Sequence, residues 1–226
     1  MSEAKSIMVV GASGLVGGEV LRQALMDDRV GLIVAPVRRE LGRLAEAPNA
    51  QHKLETPRVD FEHLADADSA AWWQVDAVIC TLGTTRKAAG TKAAFRRVDH
   101  DYPLAVADIA RRHGATTYVL NSAMGADASS RWFYNRVKGD LEAALAECGF
   151  TSLTLVRPGL IGGKREQSRP LEAAAGAVLG ALGPILPRRL RVCPAPRIAQ
   201  ALLMAALDAA PGQHLVSAEQ LSRGRS

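Results

Sequence analysis

The chain has 226 residues, 48% of them apolar, a formal net charge of +5 and three cysteines. That length supports one domain with one sizeable core. The dispersed Lys and Arg residues form no long basic stripe with interleaved aromatics, which argues against a nucleic-acid binder, and the three scattered cysteines suit buried thiols better than disulfides or a zinc site. No metal is expected.

The opening MSEAKS runs straight into SIMVV with no basic or long apolar leader, so a cytoplasmic protein is expected. Ile7 to Val10 reads as a buried strand, and Gly14 to Met26 carries apolar residues at helical spacing. Further strands are predicted at Leu32–Val37, His52–Val59, Val75–Leu82, Thr116–Asn121 and Leu153–Val156, with helices over Ala94–Arg112 and Phe133–Cys148. Continuous apolar strands such as DAVICTL suit a doubly wound α/β fold, a parallel sheet covered on both faces. Residues 1–160 are read as the core of this single domain. Residues 161–226 read as a small substrate-side segment: the loop IGGKREQSRP, a helix from Leu171 too short to span a bilayer, the segment RLRVCP, a helix over Ile198–Leu207 and a frayed end from Ser217.

The first strand is followed by GASGLVG, in which Gly11, Gly14 and Gly17 leave room for a pyrophosphate and for the helix to pack on the strand. This points to a dinucleotide, and so to a Rossmann domain with residues 1–160 as its cofactor-binding core. At the end of the second strand the sequence reads VAPVRRE, where Arg38 and Arg39 suit a 2′-phosphate and no acid stands ready for a ribose hydroxyl, so NADP(H) is expected over NAD(H). Tyr134 and Lys138 are four apart on one helix face, and a lysine so placed favours the phenolate. Ser122, at the end of the fifth strand, is set to bond the same substrate oxygen. Of the remaining aromatics, Trp72 and Trp73 are expected to cover the sheet edge, and Trp132 with Phe133 either to sit in the core, the favoured reading, or to line the mouth of the pocket near Tyr134.

Together these features resemble the short-chain dehydrogenase/reductase superfamily. CTLGTTRKAAG, RVDHDYPLAVADIA, NSAMGADASSRWFYNRVKGDLE and RPGLIGGKREQSRP are similar to its atypical Tat-interactive-protein group. The resemblance implies a glycine turn, with Ala12, Ser13, Leu15 and Val16, on the pyrophosphate, and Arg38 or Arg39 on the 2′-phosphate. It places Leu82 and Gly83 beneath the ribose, Pro158 and Gly159 beside the nicotinamide, and Lys138 on both the ribose and Tyr134. Asp60 would approach the adenine, or equally cap the short helix after it. Asp99 departs from the Asn common in members with a four-residue proton relay. The activity implied is hydride transfer between NADP(H) and a small carbonyl or alcohol, with Ser122, Tyr134 and Lys138 catalytic. The alternative is a regulatory or scaffold protein that binds NADP(H) and a partner without turnover. A sugar-nucleotide epimerase would need a longer C-terminal segment. No membrane partner is expected, and the oligomeric state is left as monomer or homodimer.

Overall fold

In the central strand β1 (Lys5–Val10), Ile7 to Val10 are all fully buried, as a parallel strand covered on both faces requires. The computed structural model describes residues 4–42, 49–162 and 192–223. Helix α1 (Leu15–Leu25) leads to β2 (Val30–Val34); a short helix α2 (Ala50–Lys53) precedes β3 (Leu54–Glu55). After two 3₁₀ turns come β4 (Ala77–Cys80), α3 (Arg86–Ala89), α4 (Lys92–Arg96) and α5 (Tyr102–Arg112). The second half contributes β5 (Thr117–Asn121), α6 (Phe133–Glu147), β6 (Ser152–Arg157), β7 (Ile161–Gly162), β8 (Cys193–Pro194), α7 (Ala195–Asp208), β9 (Gly212–Ser217) and α8 (Ala218–Arg223).

Seven strands pair in the order β3-β2-β1-β4-β5-β6-β9, every pair parallel. The order reverses between β1 and β4, which opens the crevice where such sheets bind ligands. Ile7 and Val9 pack with Val20, Leu21, Ile198 and Leu202 on the face covered by α1 and α7. Met8 and Val10 point the other way, to Val106 of α5 and Leu141 and Leu145 of α6. This is the doubly wound α/β architecture expected.

Several elements differ from expectation. The strand foreseen over His52–Val59 is regular only at Leu54–Glu55, with His52 and Lys53 in α2 and a single further bridge between Val37 and Arg58. Pro57 lacks an N–H for a ladder and is tolerated there because β3 is the sheet edge. The helix foreseen over Ala94–Arg112 contains a wide π turn at Arg97–Asp101. Pro103 accounts for it: an α-helix would need its missing N–H to bond the Asp99 carbonyl, against which its ring would clash. The stretch assigned to the substrate side in fact supplies α7 and the seventh main-sheet strand, β9. The chain end is no frayed tail at 218–223, since Ala218 and Leu221 of α8 are buried. Most of the loop IGGKREQSRP, the helix foreseen from Leu171 and the first half of RLRVCP lie outside the described residues. Trp73 is fully buried and donates to the Ala67 carbonyl at 2.8 Å, whereas Trp132, expected in the core, is 76% exposed.

Candidate active site

Gly11 leaves β1 with φ of +86°, and a Cβ there would lie 2.8 Å from Thr81 Oγ1 and 2.9 Å from the Thr81 carbonyl carbon. The turn thus lies against the end of β4 across the crevice. One turn into α1, a Cβ on Gly17 would stand 2.2 Å from the Gly11 oxygen. Gly14 caps α1 with no side-chain hydrogen bond, and the first turn holds no acid. The helix therefore presents its free N–H groups to a space that no side chain of the cap fills, a fit for a pyrophosphate. Ala12 and Val16 are buried and Leu15 partly so, packed with the α1 face of the sheet, which leaves their backbones for this role; Ser13 is exposed.

Arg38 and Arg39 are exposed beyond β2. Arg39 lines an open groove of about 490 Å³ together with Glu40, Thr56 and Arg58. Arg58 was not singled out in the sequence because it falls inside the strand expected there; the Val37–Arg58 bridge brings it level with Val37, just beyond β2 and beside Arg38 in the chain. Asp60 caps the 3₁₀ turn at Phe61–Ala67, accepting from the Glu62 N–H at 3.0 Å and facing His63 Nδ1 at 2.9 Å. Those two contacts, His63 first, hold its carboxyl below the usual carboxylate range.

Around β5 and α6 the expected trio is distributed differently from the simplest reading. Lys138 is turned inward, and its Nζ lies 2.9 Å from Asp99 Oδ1, with both side chains almost completely buried. The other Asp99 oxygen accepts the Thr84 N–H at 2.8 Å, next to Leu82 and the exposed Gly83. Tyr134 is 40% exposed, its ring 5.8 Å from that of Phe95, and among the described residues no hydrogen bond joins its hydroxyl to Ser122 or Lys138. Burial of the phenol raises its pKa above the ordinary value; Lys138 pulls it down and Asp99 pushes it up. The lowering expected from Lys138 is thus outweighed.

Ser122 is buried, and its hydroxyl donates to Glu142 Oε1 at 2.5 Å. Arg157 Nε donates to the same oxygen at 3.0 Å, and its Nη2 grips Oε2. With Arg157 donating to both of its oxygens, the Glu142 carboxylate is the acceptor of this cluster and the Ser122 hydroxyl the donor. The expected bond from Ser122 to a substrate oxygen is not prepared in this arrangement. Glu142 was missed, although Tyr134, Lys138 and Glu142 recur every four residues along one helical stripe. Gly139 was missed too: a Cβ on it would lie 2.1 Å from the Ala128 backbone nitrogen, so the loop after β5 crosses α6 only because this position is bare. Pro158 is buried and its carbonyl accepts the Met124 N–H at 2.9 Å, while Gly159 beside it is half-buried.

Known proteins resemble this chain in sequence and in fold. Residues 11–176 match a family described as NAD(P)H-binding. The chain is 38% identical to "Protein fmp52, mitochondrial" of Emericella nidulans over 80% of its own length and 77% of the relative's. It is also 38% identical to "Protein HTATIP2" of Rattus norvegicus, over 79% and 72% of the two chains. A short-chain type dehydrogenase/reductase from Mycobacterium ulcerans shares the fold, with a TM-score of 0.71 at 17% identity, covering 97% of this chain and 90% of that one. A structure described as a short chain dehydrogenase/reductase family protein covers 97% and 98%, with a TM-score of 0.69 at 18% identity. A glycine turn at the crevice and a parallel seven-stranded sheet give the chain the fold of the short-chain dehydrogenases/reductases, and the matching family model together with relatives of this similarity places it in the NAD(P)H-binding family, alongside the proteins named Fmp52 and HTATIP2.

Proposed function

We propose that this chain is an NADPH-dependent reductase that moves a hydride to or from a small, partly apolar carbonyl or alcohol. The observation that carries the reading is Tyr134, exposed on the helix that buries Lys138, with the bare glycine turn at the carboxyl end of the same sheet. When bound, the nicotinamide would supply the hydride. The uncapped start of α1 would hold the pyrophosphate, and Arg38, Arg39 and Arg58 the 2′-phosphate, where their permanent charge favours NADPH over NADH. Tyr134 then gives its hydroxyl proton to the substrate oxygen. Since Ser122 has its proton on Glu142, Tyr134 is the hydroxyl of the two with a proton to give. Met124, Trp132, Leu160 and Ile161 stand exposed on the segments that leave β5 and β6, which suits an apolar substrate body.

Replacing Tyr134 by Phe removes the hydroxyl and keeps the ring. In a screen of aldehydes, ketones and quinones for NADPH consumption, turnover should fall about 100-fold or more with NADPH affinity little changed. Full turnover in Tyr134→Phe rejects Tyr134 as the acid. A second reading, an NADP(H)-binding regulator, is favoured by one feature: Ser122 and Lys138 are both engaged within the protein, by Glu142 and Asp99. It becomes the better account if NADPH binds and no carbonyl is turned over. The expectation of a cytoplasmic protein meets a fungal relative named as mitochondrial, and fractionation of cells carrying the tagged chain decides between the two compartments.

A further inference from the structure

Pro103 opens the helix into a π turn, and that turn carries the Asp99 carboxylate into the core. There it meets Lys138 at 2.9 Å and the Thr84 N–H at 2.8 Å. Two opposite charges this close act on any third group as a dipole, whose field falls off far faster than that of a lone ammonium. Tyr134 is that third group, one helical turn before Lys138 on α6.

We propose that Asp99 is a positioning residue that cancels the Lys138 ammonium, keeping Tyr134 a neutral phenol through neutral pH, so that the site is set to donate a proton and to reduce a carbonyl. The proposal deepens the reading that Tyr134 is the acid and rests on it for its catalytic meaning. In reduction the phenol proton goes to the carbonyl oxygen as the NADPH hydride reaches the carbon, and the phenolate regains a proton from solvent. Oxidation of an alcohol needs the opposite starting state, a phenolate, which this arrangement withholds until alkaline pH.

Charged and titratable groups come to this site from several elements: Arg86 of α3 and Lys92 of α4 lie over the Phe133 ring beside Tyr134, Arg96 of α4 is paired with Asp140 of α6, His100 of the π turn bonds Asp101, and the Tyr118 hydroxyl of β5 donates to the Pro103 carbonyl. From β4, Cys80 lies near both Lys138 and Asp99, and burial pushes its thiol up, so it stays neutral. Farther along α6, Glu142 is committed to Arg157 of β6. Tyr134 itself is raised by burial, with Lys138 and Asp99 acting in opposite senses. Asn at position 99 would keep the size of the side chain and an oxygen for the Thr84 N–H while removing the charge that silences Lys138.

The test is a titration of the full chain labelled with ¹³Cζ-tyrosine. There are three tyrosines to resolve, and Tyr134 is assigned by the resonance lost in Tyr134→Phe. The expected midpoint for Tyr134 in the natural chain lies above the free-tyrosine value of about 10. In Asp99→Asn it should fall by about one pH unit or more, a roughly tenfold gain in phenolate at a given pH. A midpoint below the free value in the natural chain overturns the proposal without any variant. So does an unchanged midpoint in folded Asp99→Asn. Should Asp99→Asn fail to fold, the charge-free double variant Asp99→Asn with Lys138→Met takes its place: a Tyr134 midpoint unchanged from the natural chain's is the expected result, and one raised by about a pH unit or more overturns the proposal, because Lys138 was then not cancelled. No substrate enters the titration, so its failure leaves Tyr134 standing as the acid, whereas full turnover in Tyr134→Phe beside the expected titration rejects the acid assignment alone.

Discussion

Gly14 and Gly17 stand three residues apart in one turn, and the space around them separates binding from folding. A Cβ on Gly14 meets the Gly11 oxygen at 3.2 Å, a tight contact that a small shift relieves, and it points into the region left open at the start of α1. A Cβ on Gly17 lies 2.2 Å from the same oxygen and 2.6 Å from Thr81 Oγ1, inside the seam between α1 and the ends of β1 and β4. Gly14→Val should therefore stay folded and lose NADPH binding, because the side chain occupies the pyrophosphate space. Gly17→Ala should lose stability first, by about 1–3 kcal/mol as overpacked positions do. Urea unfolding and NADPH titration of the two variants check the pair, and unweakened binding by folded Gly14→Val would move the cofactor site elsewhere. The three glycines were readable in the sequence as a tight turn between strand and helix; which of them packs into the fold and which faces open space was not, because that depends on Thr81, seventy residues away from Gly11.

Where one face of an element is buried, its sequence was informative; where an element lies at an edge, it was not. The β1, β4 and β5 strands are continuous apolar runs and were placed within about two residues. The edge strand β9, GQHLVS, is largely exposed and reads as polar chain, so it was missed. The π turn was hidden as well, since a helical pattern spans it and only Pro103 marks the break. The loop that leaves β5 owes its course to a contact that periodicity cannot show. It crosses α6 at Gly139, where a Cβ would lie 2.1 Å from the Ala128 nitrogen and 2.2 Å from the Asp127 carbonyl carbon, and it is tied down there by the Asp127 N–H donating to the Asn135 carbonyl at 3.0 Å. Gly139→Ala should push this loop off the helix, cost about 1–3 kcal/mol in urea unfolding and reduce carbonyl turnover more than NADPH affinity. Unchanged stability would show that the loop can move aside freely.

At the scale of the whole molecule, the reversal of strand order between β1 and β4 gathers the glycine turn, the end of β4 and the Asp99–Lys138 pair at the carboxyl ends of the strands. The bare glycine turn and the spacing of Tyr134 and Lys138 on one helix were legible because each is a local pattern. The Glu142–Arg157 couple was not, since it joins a helix to the next strand through side chains fifteen positions apart. Cofactor choice can be read from the stability of the entire fold, because a ligand that binds only the native state stabilises it by RT ln(1 + [L]/Kd). At a hundredfold excess over its Kd, NADPH should add about 2.7 kcal/mol, which for a chain of this size raises the melting midpoint by roughly 5–10 °C. NADH at the same concentration should raise it less, since it lacks the phosphate that Arg38, Arg39 and Arg58 would hold. Each charge-assisted bond to that phosphate contributes about 1.5–3 kcal/mol. Replacing Arg38 and Arg39 by Ala should therefore bring the NADPH shift down towards the NADH one while leaving the ligand-free midpoint nearly unchanged, because both side chains are exposed. Equal shifts for the two cofactors in the natural chain would remove the assigned preference, and a preference that survives the double Ala variant would leave Arg58, across the groove, as the residue that reads the phosphate.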